Sequence, residues 1–173
     1  MSQAGRSITW PPGYLADVGT KRSAGILLFR FAADGPRLLL VHPGGPYWAK
    51  RDRGAWTIPK GEYEEGESAQ SCALRELGEE LGAAPELDAD ALIDLGAVRQ
   101  KSGKVVEAWA AEGDFDPARL ASNSFSLEWP PRSGREREFP EVDRAEWFEP
   151  ERAREKILPA QAELIDRLLE RLG

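Results

Sequence analysis

Residues 61–83 read GEYEEGESAQSCALRELGEELGA and contain four glutamates that stand out from the rest of the chain. Glu76, Glu79 and Glu80 fall within about one and a half turns of a helix, and Glu67 precedes them. Like charges at helical spacings of three and four repel each other by about 0.2–0.5 kcal/mol per pair. The cluster therefore indicates a cation site rather than a merely solvated helix face.

The same stretch predicts a helix that begins after Ser68 and ends at Gly82. Serine is a favoured N-cap, and glycine readily takes the left-handed conformation that ends a helix. Arg75 precedes Glu79 by four residues and is predicted to pair with it. Gly78 is unusual, because mid-helix glycine costs about 0.5–1 kcal/mol, and it predicts close approach by a backbone or a ligand. The apolar stripe at helical spacing comprises Ala69, Cys72, Ala73, Leu77 and Leu81.

The ligand type in this cluster indicates a hard divalent cation. Mg2+ prefers carboxylate oxygens and is commonly shared with substrate phosphates. The three helical carboxylates come without a histidine or thiolate partner, which argues against zinc. Their spacing is not that of an EF-hand loop. The residues therefore predict Mg2+, with Mn2+ as a possible substitute, and a substrate that carries phosphate.

Residues 61–83 resemble the Nudix box, G-x5-E-x7-R-E-U-x-E-E-x-G-U, in which U is a bulky apolar residue. Ala83 stands at the last position in place of a larger aliphatic residue, which weakens a packing contact and leaves the chemistry intact. The resemblance implies the Nudix fold, an α/β/α sandwich with a mixed β-sheet, over residues 24–172. It also implies hydrolysis of a nucleoside diphosphate linked to another moiety. The matching positions are Gly61, Glu67, Arg75, Glu76, Leu77, Glu79, Glu80 and Gly82.

The resemblance also implies a role for each matching polar residue. Glu67 would order the loop or bond to metal-bound water, and Arg75 would orient Glu79. A backbone carbonyl of Lys60 or Gly61 would supply a further metal ligand. The metal ligands implied by the resemblance are Glu76, Glu79 and Glu80, with Gly61 beside them. The implied catalytic residues are Arg75, Glu79, Glu80 and Glu141.

The general base in this family is either a glutamate of the box or a glutamate on a later loop. The later glutamate stands some six residues before a tryptophan of the last strand. Glu141 stands six residues before Trp147 and fits that spacing. Glu138 is a nearby alternative, and a solvated loop carboxylate is the competing interpretation of Glu141.

Substrate preference is expected to depend on residues outside the box. Residues 56–61, WTIPKG, resemble the W-x-P-P-K-G variant of hydrolases that act on diadenosine polyphosphates, which makes Lys60 a candidate phosphate contact. A solvated lysine in a turn is the alternative. Residues 42–62 and 122–148 resemble a bacterial branch of Nudix enzymes known as predicted NTP pyrophosphohydrolases. That resemblance leaves the substrate open.

Two segments, residues 47–53 and 129–137, combine aromatic and basic side chains in a way that suits a nucleotide. Aromatic faces stack on bases at about 1–3 kcal/mol each, and arginine matches phosphate oxygens. A long polyphosphate that bridges two bases would use both segments, although packing of the aromatics with solvated charges explains either one as well. The candidate substrate-binding residues are Tyr47, Trp48, Lys50, Lys60, Trp129, Arg132 and Arg135.

These features favour a pyrophosphohydrolase that cleaves a dinucleoside polyphosphate such as diadenosine tetraphosphate. Oxidised nucleoside triphosphates, NDP-sugars and diphosphoinositol phosphates remain alternative substrates, and the acidity of the chain disfavours the last. A ligand-binding module that has kept the fold and lost catalysis is the rival from another class. Such proteins usually lack one of the box glutamates, and all are present here.

Composition limits the partners and the compartment. The chain has 173 residues, enough for one domain, and its net charge of −7 argues against binding to a nucleic acid polymer. No apolar run is long enough to span a membrane, so a cytoplasmic location is expected. Cys72 lies on the apolar stripe and is predicted to be a core residue. The single histidine, His42, is predicted to be structural rather than catalytic. Oligomeric state, monomer or homodimer, is left open.

The remaining sequence predicts mixed α/β structure in residues 21–173, preceded by a polar arm in residues 1–20. A mixed sheet covered on both faces fits this order of elements. The predicted strands are residues 23–31, 37–42, 55–59, 91–100, 104–113, 124–129 and 145–150. The predicted helical segments are a single turn in residues 116–122, a short helix in residues 151–157, and an amphipathic helix that begins at Pro159. Residues 130–142 are predicted to form a loop.

Overall fold

The computed structural model describes residues 21–83 and 85–173, so the predicted arm in residues 1–20 lies outside the described residues. The strands are β1 (Arg22–Ala32), β2 (Gly35–Pro43), β3 (Lys60–Glu62), β4 (Ile93–Arg99), β5 (Val105–Glu112), β6 (Ser124–Glu128), β7 (Glu136–Pro140) and β8 (Val142–Phe148). The α-helices are α1 (Ala69–Leu81), α2 (Pro150–Lys156) and α3 (Ala162–Leu172). Short 3-10 turns occupy Ala89–Ala91, Pro117–Arg119 and Pro159–Gln161.

The main sheet is mixed, with strand order β4-β5-β1-β2-β8. β1 and β5 are parallel, while β1–β2, β2–β8 and β4–β5 are antiparallel. The far half of β1 pairs with β2, and its first half pairs instead with β3, where Ala24 lies opposite Gly61. This pairing places the start of the box loop inside the sheet.

Alternate side chains of β1 enter two separate cores, as expected for a strand covered on both faces. Ala24, Ile26 and Leu28 belong to the cluster that includes the buried residues of α1. Leu27 and Phe29 belong to the cluster that includes buried residues of α2 and α3. The predicted α/β/α sandwich is therefore confirmed. No helix in the described part of the chain is long and apolar enough to cross a membrane.

The prediction of a loop over residues 130–142 is wrong, because β7 forms there and pairs with β6 in a separate two-stranded sheet. Phe125 lies opposite Phe139, and Leu127 lies opposite Arg137. Side chains alternate across a strand, so these residues share one face. Ser126 and Glu138, which are also opposite each other, share the other face. The charged sequence of β7 carries no apolar alternation, so only its pairing with β6 reveals it.

The predicted strand in residues 55–59 is replaced by two isolated bridges, Val41 with Thr57 and Trp56 with Ile157. Pro59 has no N–H to continue a ladder there, and the regular strand begins one residue later. The predicted hairpins formed by β1–β2 and by β4–β5, and the single turn at Pro117–Arg119, are confirmed. The last strand begins at Val142, three residues before its predicted start.

Candidate active site

Helix α1 begins and ends where its caps predict. The Ser68 hydroxyl accepts a hydrogen bond from the Ser71 amide at 3.2 Å. Gly82 has a φ of 80°, and its amide donates to the Gly78 carbonyl oxygen at 2.8 Å. Cys72, Ala73, Leu77 and Leu81 are buried against the sheet, as the apolar stripe predicted. The acidic face is thereby turned toward the box loop.

Arg75 is the cationic centre of the acidic cluster. Its Nε donates to Glu67 Oε2 at 2.7 Å, and its Nη1 donates to Glu76 Oε1 at 2.9 Å and to Glu79 Oε2 at 3.0 Å. The predicted pairing with Glu79 is confirmed, and Glu64, at 3.6 Å from Nη1, joins Glu67 and Glu76 as a further ion-pair partner of the same guanidinium. Hydrogen bonding to Arg75 lowers the pKa of Glu67 to about 2, which keeps that carboxylate ionised.

The box loop brings its backbone against two of the helical glutamates. The Lys60 amide donates to Glu80 Oε2 at 3.2 Å. At Gly61, a β-carbon would come within 1.9 Å of the carboxyl carbon of Glu76, so only glycine leaves room for that carboxylate. Burial raises the pKa of Glu76, and burial raises the pKa of Glu80 to about 8. The negative charge of Glu141 adds to both increases.

The carboxylates of this cluster suit a divalent cation in their donor atoms. Glu76, Glu79 and Glu80 each use one oxygen in a hydrogen bond to Arg75 or to the Lys60 amide. Within the described residues the second oxygen of each has no hydrogen-bond partner. As these side chains stand, no three acidic, histidine or cysteine groups of the described residues converge on one metal position. The donor set fits Mg2+, and burial of charged carboxylates favours a cation that compensates them.

Backbone hydrogen bonds connect this cluster to Glu141. The Asn123 amide donates to the Glu79 carbonyl oxygen at 3.3 Å, and the Glu141 amide donates to the Asn123 carbonyl oxygen at 2.8 Å. The Gly44 amide then donates to the Glu141 carbonyl oxygen at 3.0 Å. This series joins the end of α1, the start of β6, the β7–β8 junction and the end of β2. Glu138 lies opposite Ser126, on the other face of the hairpin from Phe125 and Leu127.

A cavity of about 390 Å³ opens beside Glu141. Its remaining lining is apolar or aromatic and comes from the last residue of β2, from the segment that follows it and from β6, namely Pro43, Gly44, Gly45, Pro46, Tyr47, Trp48, Phe125 and Leu127. Tyr47 and Trp129 contact each other edge to face, with ring centroids 5.3 Å apart. The two aromatic segments singled out from the sequence therefore meet at one cavity.

The predicted basic contacts are distributed unevenly around this cavity. Arg135 continues the register of the hairpin opposite Trp129, whose amide donates to its carbonyl oxygen at 2.9 Å. Arg132 lies at the exposed tip of the hairpin, and Lys50 is exposed on the other segment. The β-carbon of Lys60 lies beside Gly25, and the charged end of this side chain is close enough to Glu80 and Glu76 for their charges to act on its pKa. Burial, and next the charge of Lys104, lowers the pKa of Lys60.

His42 and Cys72 are structural, as predicted. His42 is fully buried, with Nδ1 2.7 Å from Asp143 Oδ1 and Nε2 2.6 Å from the Arg51 carbonyl oxygen. It therefore holds the segment that carries Tyr47 against β8. The thiol of Cys72 is buried and lies 3.4 Å from the Gly61 carbonyl oxygen, to which it donates.

Sequence reasoning missed Phe125 and Leu127 as lining residues, and Ser122 and Asn123 as connectors. In the sequence, Phe125, Leu127 and Trp129 alternate with polar residues, which predicts an apolar strand face that packs against another surface. This alternation could have indicated the lining residues. The bonds made by Asn123 belong to its backbone and leave no mark on residue type.

A model of the NUDIX domain family matches residues 19–168, which is most of the chain. The chain therefore belongs to the NUDIX domain family. Together with the complete box, this membership supports the enzyme class predicted from the sequence, a pyrophosphohydrolase. No curated protein matches the sequence.

Several solved structures share the fold. An Ap4A hydrolase of C. elegans, in a binary complex, has a TM-score of 0.61 at 21% identity, over 87% of this chain and 97% of that one. The NUDIX domain of Shewanella oneidensis NrtR, complexed with ADP ribose, has a TM-score of 0.60 at 19% identity, over 95% and 94%. A MutT protein from Methanosarcina mazei has a TM-score of 0.55 at 16% identity, over 91% and 99%. At these identities the likeness concerns the fold.

Proposed function

We propose that this protein is a Mg2+-dependent pyrophosphohydrolase that cleaves a phosphoanhydride bond in a nucleoside diphosphate derivative. The proposal rests on one observation: a carboxylate cluster and an aromatic cavity are connected through the backbone of Glu141. A cluster of carboxylates lies on α1, each with one oxygen that makes no hydrogen bond within residues 21–83 and 85–173. An aromatic cavity opens beside Glu141, which backbone hydrogen bonds connect to that cluster. The first suits a metal with phosphates, and the second suits a nucleobase.

Within this proposal the residues divide the chemistry. Glu76, Glu79 and Glu80, with the Gly61 carbonyl, would hold Mg2+, which neutralises phosphate charge and activates water when bound. Arg75 fixes the direction of Glu76 and Glu79, and Glu67 in turn fixes Arg75. The Glu141 carboxylate accepts a proton from the water that attacks phosphorus, and the bridging oxygen leaves with the bonding electron pair.

A dinucleoside polyphosphate such as diadenosine tetraphosphate is the first candidate substrate. Tyr47, Trp48 and Trp129 offer several aromatic faces, and Arg135 stands beside Trp129 for phosphate contact. The fold similarity to an Ap4A hydrolase adds support. The similarity to a domain complexed with ADP ribose makes an NDP-sugar the second substrate to test. The net charge of −7 agrees with a small-molecule substrate rather than a nucleic acid polymer.

The proposal is tested by incubating purified protein with Mg2+ or Mn2+ and a panel of compounds. The panel contains diadenosine tetraphosphate, ADP-ribose, unmodified and oxidised nucleoside triphosphates, and a diphosphoinositol phosphate. Products are identified by mass spectrometry in 18O-labelled water, which marks the attacked phosphorus. We expect metal-dependent cleavage that Glu80→Gln abolishes and Glu65→Gln, an exposed loop control, retains. Tight binding of a nucleotide without any cleavage would instead indicate a ligand-binding module.

A further inference from the structure

The hydroxyl of Ser122 bonds to the backbone on the far side of Glu141. It accepts a hydrogen bond from the Val142 amide at 3.1 Å. It lies 3.0 Å from the carbonyl oxygens of both Val142 and Asn123, and can donate its single proton to either. Ser122 is half-buried and twenty residues from Val142 in sequence, so the bond is a tertiary contact.

The Val142 amide needs this partner because the sheet is irregular beside it. The register between β2 and β8 shifts between His42 and Pro43, and Pro43 is the residue opposite Val142. Proline carries no N–H, and a shifted register disturbs the regular ladder. Val142 itself is buried in the core on the α1 side. A buried amide without a partner costs about 1–3 kcal/mol, and Ser122 supplies the partner.

The bond fixes the peptide plane that leaves Glu141. The Val142 N–H and the Glu141 carbonyl belong to one rigid plane. Ser122 holds the first at one edge, and the Gly44 amide holds the second at the other edge at 3.0 Å. The peptide before Glu141 is held by Asn123 through the Glu141 amide. Both backbone dihedrals of Glu141 are thereby restrained, and they set the direction of its side chain.

We propose that Ser122 is a positioning residue for Glu141, which it orients through the Glu141–Val142 peptide without contacting substrate. The proposal rests on the role given to Glu141 in the proposed function. Loss of the Ser122 hydroxyl is expected to keep the Glu141 carboxylate but to let its orientation vary more. Supporting groups of this kind are commonly worth 10–100-fold in activity.

The test compares Ser122→Ala, Ser122→Thr and the control Ser126→Ala, which removes an exposed hydroxyl from the other face of β6. We expect Ser122→Ala to lower kcat about tenfold with KM nearly unchanged. Ser122→Thr should restore kcat because it keeps the hydroxyl, and Ser126→Ala should match the wild type. Amide hydrogen exchange, followed by NMR, should accelerate at Val142 in Ser122→Ala and not at Ile26 in the core.

A double variant separates positioning from general stability. In a Glu141→Gln background, Ser122→Ala should cost nothing further, because the group that it orients is already gone. Equal losses in both backgrounds would overturn the proposal, as would an unchanged kcat or an unchanged exchange rate at Val142 in Ser122→Ala. Wild-type protein that hydrolyses no member of the panel would reject the proposed function, whereas active wild-type protein with unaffected Ser122→Ala rejects only the role of Ser122.

Discussion

The carboxylate of Glu76 occupies the space where a side chain at Gly61 would begin. A β-carbon on residue 61 would lie 1.9 Å from the carboxyl carbon of Glu76. Gly61→Ala should therefore push the Glu76 carboxylate out of its hydrogen bond with Arg75 and spare the fold, because the end of a side chain can move more easily than a strand backbone. We expect kcat/KM to fall about 10–100-fold and Mg2+ affinity to fall with it. Kinetics with a Mg2+ titration, followed by thermal unfolding, measure the two effects.

Gly25→Ala is the matched control for this glycine. Its β-carbon would come within 2.4 Å of the Pro59 carbonyl oxygen, which is backbone and cannot rotate away. That variant should lose about 1–3 kcal/mol of unfolding free energy. If Gly61→Ala is instead the more destabilised of the two and keeps full activity when folded, the steric interpretation of the Glu76 site is wrong.

Glu141→Gln should lower kcat by about 10²–10⁴-fold, the usual contribution of a general base. The Mg2+ concentration for half-maximal activity should change little, because Glu141 is proposed to act on water. Glu138→Gln serves as the control, since Glu138 lies across from Ser126 on the other face of the hairpin. A larger loss in Glu138→Gln than in Glu141→Gln would reverse the assignment, and full activity in both would return the base to the box helix.

Tyr47→Ala and Trp129→Ala should raise KM for a nucleotide substrate about tenfold each and change kcat less. Loss of one stacking face costs about 1–3 kcal/mol of binding. The two rings contact each other, so their effects should not multiply fully in the double variant. Phe31→Ala is the control, since Phe31 is 55% exposed and Tyr47 is 58% exposed, while only Tyr47 lines the cavity. If Tyr47→Ala, Trp129→Ala and Phe31→Ala all have the same KM, the aromatic cavity does not bind the nucleobase.

Asp52→Asn should destabilise the protein at pH 7, and its difference from the wild type should shrink as the pH falls below about 3.9. Hydrogen bonds from Lys156, and next from the Trp56 indole, lower the pKa of Asp52. A carboxyl whose pKa is lowered by folding stabilises the fold above its ordinary pKa, near 3.9, and loses that contribution as pH falls through the lowered value. Asp52 is largely exposed, so we expect at most about 1 kcal/mol. Urea unfolding at several pH values measures it, with Asp90→Asn as the control, and a difference independent of pH would contradict it.

Cys72 should resist thiol reagents in the folded protein. Burial, and next the charge of Glu67, raises the pKa of this thiol to about 12, whereas a free cysteine titrates near 8.5. Labelling with Ellman's reagent at pH 8 should be slow in buffer and fast in denaturing urea. Rapid labelling of the folded protein, with loss of activity, would show that the thiol is accessible.

The parts of this structure that the sequence predicted are those determined locally. Ser68 and Gly82 mark the two ends of α1 because they are typical capping residues. Arg75 predicts an ion pair with Glu79 because the two are one helical turn apart. Strand β7 was missed because, among the described strands, it pairs only with β6, and Phe139 is the single apolar side chain within Glu136–Pro140 apart from the terminal proline, so no apolar alternation marks the strand. The hydrogen bond between the Ser122 hydroxyl and the Val142 amide joins residues that are twenty positions apart. No repeating sequence pattern predicts such a contact.

The hairpin of β6 and β7 forms a sheet of its own and contributes no residue to the buried core of the described chain. Backbone hydrogen bonds hold its ends, and these bonds do not depend on which side chains the residues carry. Under the proposed function, substitutions on the face that carries Phe125, Leu127 and Trp129 are therefore expected to change substrate preference while the buried core and the glutamates of α1 stay as they are.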